Sequence, residues 1–366
     1  VVVAIAVPGP VHSQEWRFEP IVRLGLVTDA NATLSIRTDN DVQLDGYLLD
    51  AMADISYSSS DITSFYLQPR ALIRNYPDNE EFESDDLFLR SQFRHRMQSS
   101  TIGFRVNFDQ QDIRTAERTD SDLGIEDPDE IPNDDTGLVG IEGDRSRWRA
   151  SPYWNYAFSS TSSIDVAVDY FDVRYDDVFA AVLVDYTDTR LDLRFRRAFS
   201  NITTGIITLT GRSFSPDEVF GIDIEDNTGY GLLVGFEHSL SPTTQLVAMV
   251  GVENTELSGG SSEAEVIGDL TLTRDLKTIS MFARYQRAVT ANGSGAVELR
   301  DTVNVNFNRR LSERIAAGFG VRAYHAEPLG GINSALERNY VQLQALFSWY
   351  LSKAFVIEAD YRYTVP

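Results

Sequence analysis

The chain reads as all-β: a transmembrane antiparallel up-and-down β-barrel. Three observations predict this. Apolar residues alternate with small or polar ones along nearly the whole length, the connections fall into a short and a long class, and no run of about 18 apolar residues exists. Side chains along a strand point to opposite faces with period two, so each alternating run has one apolar and one polar face. The pattern is clearest in 302–326. There Val303, Val305 and Phe307 alternate with Asn304, Asn306 and Asn308; after a break at 311–314, Ile315, Ala317, Phe319 and Val321 alternate with Ala316, Gly318, Gly320 and Arg322. Two such runs joined by a polar turn make a hairpin.

Composition narrows the alternatives. The 366 residues include no cysteine, so neither a disulfide framework nor a thiolate metal site is available. With 55 acidic against 32 basic side chains the net charge is −23, the opposite of the basic surface that nucleic acid requires. Val1 to Val7 is apolar and is followed by Pro8-Gly9-Pro10 and by Val11-His12-Ser13-Gln14. This resembles the end of a secretory signal peptide, so 1–14 is read as a leader remnant and 15–366 as a single barrel domain.

Taken in order, alternating runs occupy 15–27, 43–57, 62–75, 85–97, 101–114, 144–158, 164–175, 182–198 and 204–212. They continue at 228–239, 244–256, 263–274, 278–290, 296–310, 315–326, 337–350 and 354–364, about 17 strands in all. Single-chain bacterial barrels have even strand numbers, so about 18 strands are expected in the complete barrel, with the last one lying beyond Pro366. Short polar turns recur at 58–61, 98–100, 159–163, 199–203, 240–243, 275–277, 311–314 and 351–353. The alternate connections are longer and often acidic: 28–42, 76–84, 115–143, 213–227 and 327–336, with 257–262 and 291–295 as short exceptions. Outer-membrane barrels sort periplasmic turns from extracellular loops in this way, whereas a soluble sandwich has no reason to. The expected location is therefore the outer membrane of a Gram-negative bacterium, with lipid and lipopolysaccharide around the wall.

Apolar sets such as Ile102/Phe104/Val106/Phe108 and Tyr230/Leu232/Val234/Phe236 are expected to face lipid. Aromatics near run ends, among them Trp16, Trp148, Trp154, Tyr156, Phe158, Trp349 and Tyr363, suit interfacial girdles. The opposite faces should line the lumen, and on the first half of the barrel they are rich in arginine. The candidate path residues are Arg70, Arg74, Arg90, Arg94, Arg96, Arg105, Arg147, Arg149, Arg194 and Arg196. Two readings stay open. The arginines can pair with acids such as Asp165, Asp169 and Asp192 to stiffen the wall, or their surplus can form a positive track for an anionic solute.

No catalytic residues, metal site or cofactor are expected. His95, His238 and His325 lie on apolar-parity positions, and Ser239, adjacent to His238, faces the other side of its strand. The 117–144 segment holds eleven acids, but without the spacing of a defined calcium loop it reads as a solvated outer loop.

The junctions His238-Ser-Leu-Ser-Pro-Thr-Thr-Gln245, Asn308-Arg-Arg-Leu-Ser-Glu-Arg-Ile315 and Ser348-Trp-Tyr-Leu-Ser-Lys-Ala354 resemble those of the bacterial beta-barrel porin 2 family. The resemblance is one of repeat style and carries over no individual residue. It implies an export pore associated with exopolysaccharide and with periplasmic export proteins. The expected function is a passive conduit through which an anionic exopolysaccharide leaves the cell. A general diffusion porin and a closed structural or docking barrel are the alternatives.

Overall fold

The computed structural model describes residues 2–6, 15–30, 42–59, 62–113, 143–176, 183–217, 226–257, 260–329, 338–352 and 355–365. A short strand, β1 (Val2–Ala6), precedes seventeen long ones. These are β2 (Glu15–Asp29), β3 (Leu44–Ser59), β4 (Thr63–Asn75), β5 (Ser84–Arg96), β6 (Ser100–Asp112), β7 (Asp144–Ala157) and β8 (Ser162–Asp176). The chain continues with β9 (Tyr186–Ala198), β10 (Thr203–Pro216), β11 (Asn227–Ser241), β12 (Thr244–Glu256) and β13 (Ser262–Asp275). It ends with β14 (Ile279–Ala291), β15 (Val297–Arg310), β16 (Ile315–Pro328), β17 (Arg338–Tyr350) and β18 (Phe355–Val365).

Each strand pairs antiparallel with its neighbours in sequence, and β1 pairs with both β2 and β18. The 18-stranded sheet is therefore a closed ring. Val2–Ala6, within the segment read from the sequence as a leader remnant, stands at the seam between β2 and β18. Eighteen strands spaced about 4.8 Å apart and tilted by about 40° give a ring about 35 Å across.

Up-and-down connectivity puts alternate connections at opposite ends. The connections at 60–62, 97–99, 158–161, 199–202, 242–243, 276–278, 311–314 and 351–354 share one end, and the longer ones share the other. The expected sorting is thus realised in three dimensions. Outer-membrane barrels carry their short turns on the periplasmic side. The acidic 117–144 segment lies almost wholly outside the described residues.

Alternation decides which face meets lipid. In β6, Ile102 and Phe104 are exposed on the outer wall, while Asp109 and Gln111 are buried inside. Tyr230, Leu232, Val234 and Phe236 form an outer stripe on β11, and Val250 and Val252 extend it on β12. Trp16 packs on Tyr57 at 5.0 Å and Phe108 on Trp148 at 4.6 Å, outward aromatic pairs joining neighbouring strands. In water so large an apolar exterior would drive aggregation; in a bilayer it is the solvated surface.

One expected outcome checks this assignment. Val250 lies outward at the middle of β12, so Val250→Arg should destabilise the folded barrel by about 2–4 kcal/mol, the range for arginine at the bilayer midplane. The inward Thr271→Arg should change stability far less. Urea titration of folding into lipid vesicles measures both, and equal effects would reverse the faces.

Candidate lumen lining and constriction

The inner wall begins with acid–base pairs between adjacent strands. Asp50 on β3 accepts from Arg23 on β2 at 3.1 Å and from Arg70 on β4 at 2.7 Å, with its carboxylate almost wholly buried between them. Arg74 pairs with the buried Asp86 of β5 and also donates to Ser84 at 3.2 Å. Arg147 donates to Asp109 at 2.9 Å, and Arg145 to Gln111 at 3.2 Å. Arg149 donates to Asp169 at 3.0 Å and lies over the Phe171 ring at 4.9 Å. Arg196 pairs with Glu237, two strands away.

All but Arg196–Glu237 sit side by side on the inner face because same-face residues of neighbouring strands are brought within contact by register. Five of the ten candidate arginines, Arg70, Arg74, Arg147, Arg149 and Arg196, therefore brace the wall. Their guanidinium forks bind carboxylates with fixed geometry, which stiffens a lumen that has no packed core.

The other candidates separate from these. Arg194 donates to the Thr208 hydroxyl at 3.4 Å. Arg90 faces inward between Gln68 and Asn107. Arg94, Arg96 and Arg105 have no ion-pair partner among the described residues. Arg94 and Arg96 are the last two inward positions of β5, at the short-turn end, and Arg105 lies on β6 opposite Gln92. Arg105 is thus diagonal to both Arg90 and Arg94, a spacing of about 7–8 Å between backbones. Like charges this close repel, and among the described residues no carboxylate is paired with Arg94 or Arg105.

Sequence reading missed Asp50, Asp86 and Asp188, and the inward Arg145, Arg190 and Arg212. Parity would have found them: Asp50 shares its face with Asp54, and Asp86 shares its face with Arg90. Across β9 to β12, Arg212 donates to Asp188 at 2.9 Å, and Arg190 lies 3.9 Å from the buried Glu253.

The long-loop end is narrowed by the β14–β15 hairpin. The β13–β14 ladder stops at Gly268↔Arg287, whereas β14 and β15 stay paired up to Ala291↔Val297. The hairpin tip thus parts from β13, while β15 stays paired with β16 as far as Glu298↔Pro328. Its turn is built by Asn292, whose carbonyl accepts from Gly295 N at 3.1 Å and whose side-chain oxygen accepts from Ser294 N at 3.1 Å and Ala296 N at 3.3 Å. Gly295 takes a φ of 77°, the left-handed region that favours glycine.

The Gly293 carbonyl then accepts from Val184 N at 2.8 Å. Val184 lies between β8 and β9, six strands around the ring, so the tip crosses the mouth. Val289, Val297 and Leu299 share one buried cluster with Val173, Tyr186 and Phe214 of β8, β9 and β10 and with Ile267 of β13. On the other hairpin face, Glu298 accepts from Asn292 at 3.0 Å and from Arg300 at 2.6 Å, and Arg300 lies over Tyr324 at 4.9 Å. The chain had flagged 291–295 as short for an outer loop, but the inward fold is a tertiary event with no local sequence signal.

No family model and no curated protein matches the sequence. Among solved structures, the chain is similar to the FrpB iron transporter of Neisseria meningitidis. For the F3-3 variant the TM-score is 0.52 at 9% identity, over 99% of this chain and 68% of that one. The F5-1 variant gives 0.52 at 9% identity, over 99% and 69%. The ferric preacinetobactin receptor BauA of Acinetobacter baumannii matches at TM-score 0.46 and 10% identity over 96% of this chain, which spans 62% of the receptor's length. At these identities the likeness is one of fold. It gives the chain the closed antiparallel β-barrel fold shared with those iron transporters.

Two outcomes follow from the lining. Asp50→Asn leaves Arg23 and Arg70 facing each other, so it should destabilise the barrel by about 3 kcal/mol, read as earlier loss of the compact form on heating in detergent. Deleting 290–298, which joins Val289 to Leu299, removes the tip from the mouth. Single-channel conductance should then rise well above that of the intact protein; an unchanged value would mean that the hairpin does not limit the path.

Proposed function

We propose that the protein is a passive outer-membrane conduit for anionic solutes, and that the solute is an anionic exopolysaccharide leaving the cell. One observation carries the reading: Arg94, Arg96 and Arg105 face the lumen without a described counter-charge, beside Arg90. Wall-bracing explains an arginine that meets a carboxylate, and it does not explain these. Unneutralised arginines lower the barrier to an anion entering a low-dielectric tube, and spread along the path they bind it weakly at several points, as conduction requires.

The direction of export rests on the resemblance of the turn junctions to the beta-barrel porin 2 family. The arginine patch lies toward the short-turn end, where a solute coming from periplasmic export proteins would enter first. A general diffusion porin has no use for such a patch. The closed-barrel alternative draws its support from the hairpin across the mouth.

Planar-bilayer recording in a salt gradient tests the proposal. The intact protein should give stable conductance steps with a reversal potential on the anion-selective side. Replacing Arg94, Arg96 and Arg105 together by glutamine should abolish most of that preference, while Arg149→Gln with Asp169→Asn, a charge-neutral change, should leave it. Absence of any step would favour the closed barrel, and selectivity indifferent to the triple change would overturn the anion track.

A further inference from the structure

We propose that the inner face of β5–β7 around Gly103 is a binding subsite for a saccharide ring bearing an anionic group. This deepens the conduit reading and rests on it only for the direction of transport. Gly103 of β6 stands opposite Arg94 on one side and Tyr153 of β7 on the other. The adjacent inward rows are Gln92–Arg105–Ser151 and Arg96–Thr101–Asn155. Three rows on three strands make a patch about 10 Å by about 13 Å.

The floor of the patch is built for an aromatic ring. A Cβ at Gly103 would lie 2.5 Å from both Cζ and Oη of Tyr153 and 2.6 Å from the Phe93 carbonyl oxygen, so the phenol end rests directly on the strand backbone. Any side chain at 103 would push the ring away. The bare backbone thus lets Tyr153 lie along the wall rather than stand into the lumen, with Arg94, Arg96 and Arg105 on the neighbouring strand positions.

That combination matches a charged sugar. The face of an aromatic ring carries negative charge and attracts the weakly positive C–H face of a pyranose. Guanidinium groups beside it supply planar, permanently charged donors to a carboxylate or sulfate on the same ring. A small inorganic anion would use the arginines alone, and a neutral sugar the tyrosine alone. A saccharide carrying an acidic group engages both.

The test is equilibrium binding to the full-length protein in detergent, by calorimetric titration, which needs no open pore. The probes are a galacturonate trimer, a sulfated trisaccharide and neutral maltotriose. The acidic trimers should bind measurably and maltotriose at least about tenfold more weakly, with Kd for the galacturonate trimer rising about fivefold in Tyr153→Ala and about tenfold in Arg105→Gln. Heat-modifiable migration confirms that each variant is folded. If both variants bind as the intact protein does, or if maltotriose binds equally well, the subsite is wrong. Bilayer recording on the intact protein reads the anion preference independently of saccharide binding. Anion selectivity without saccharide binding would therefore overturn the subsite and leave the conduit standing, and binding without conductance would do the reverse.

Discussion

In hydrocarbon there is no water to satisfy a backbone N–H or C=O, and each unpaired group there costs several kcal/mol. A β-chain can meet that constraint only by closing its sheet, and everything else in this molecule follows from closure. Eighteen antiparallel strands, β1 included, leave the ring without an edge at the seam between β2 and β18. Once closed, alternation sends one set of side chains into lipid and the other into an enclosed space. The apolar set has only to match the solvent, so Val, Leu, Phe and Tyr suffice. The inner set must hold a wall with no packed core behind it.

Carboxylate–guanidinium pairs provide that bracing. Asp50 is gripped from both sides by Arg23 and Arg70, and Asp109 by Arg147. A half-buried pair gains little over an apolar substitute of the same shape, but breaking it strands a charge. Such pairs therefore fix geometry more than they add stability. Against this background an inward arginine with no acid beside it stands out. It carries the repulsion of its neighbours without offset, and that is why Arg94, Arg96 and Arg105 carry the functional reading while Arg70 and Arg149 do not. The hairpin from β14 and β15 adds the second lumen feature, a bridge across the mouth held by Val184 and by the cluster around Phe214.

Much of the architecture could be read before any coordinates. Period-two alternation located the long strands, and the sorting of connections gave their up-and-down order, because both are local properties of the chain. Parity alone puts the candidate arginines on one face of their strands, the face that also carries Asp50, Asp86 and Asp109. Parity cannot say which acid a given arginine meets, since that depends on register between strands, and Arg74–Asp86 and Arg196–Glu237 were invisible for that reason. The hairpin escaped for a different cause. Val297 to Val303 alternates as a wall strand does, and it is contacts with residues distant in sequence, among them Val173 and Phe214, that turn its start inward. The seat of Tyr153 on Gly103 needs the register of β6 with β7.

The central claim is that the inward arginines form two populations, paired braces and an open patch. Reactivity of arginine toward a water-soluble dicarbonyl reagent, read peptide by peptide by mass spectrometry on the folded barrel in detergent, measures this most directly. The account predicts rapid modification of Arg94, Arg96 and Arg105 and slow modification of Arg70, Arg74, Arg145, Arg147 and Arg212. A uniform rate across both groups, or protection of the β5–β6 arginines, would contradict it.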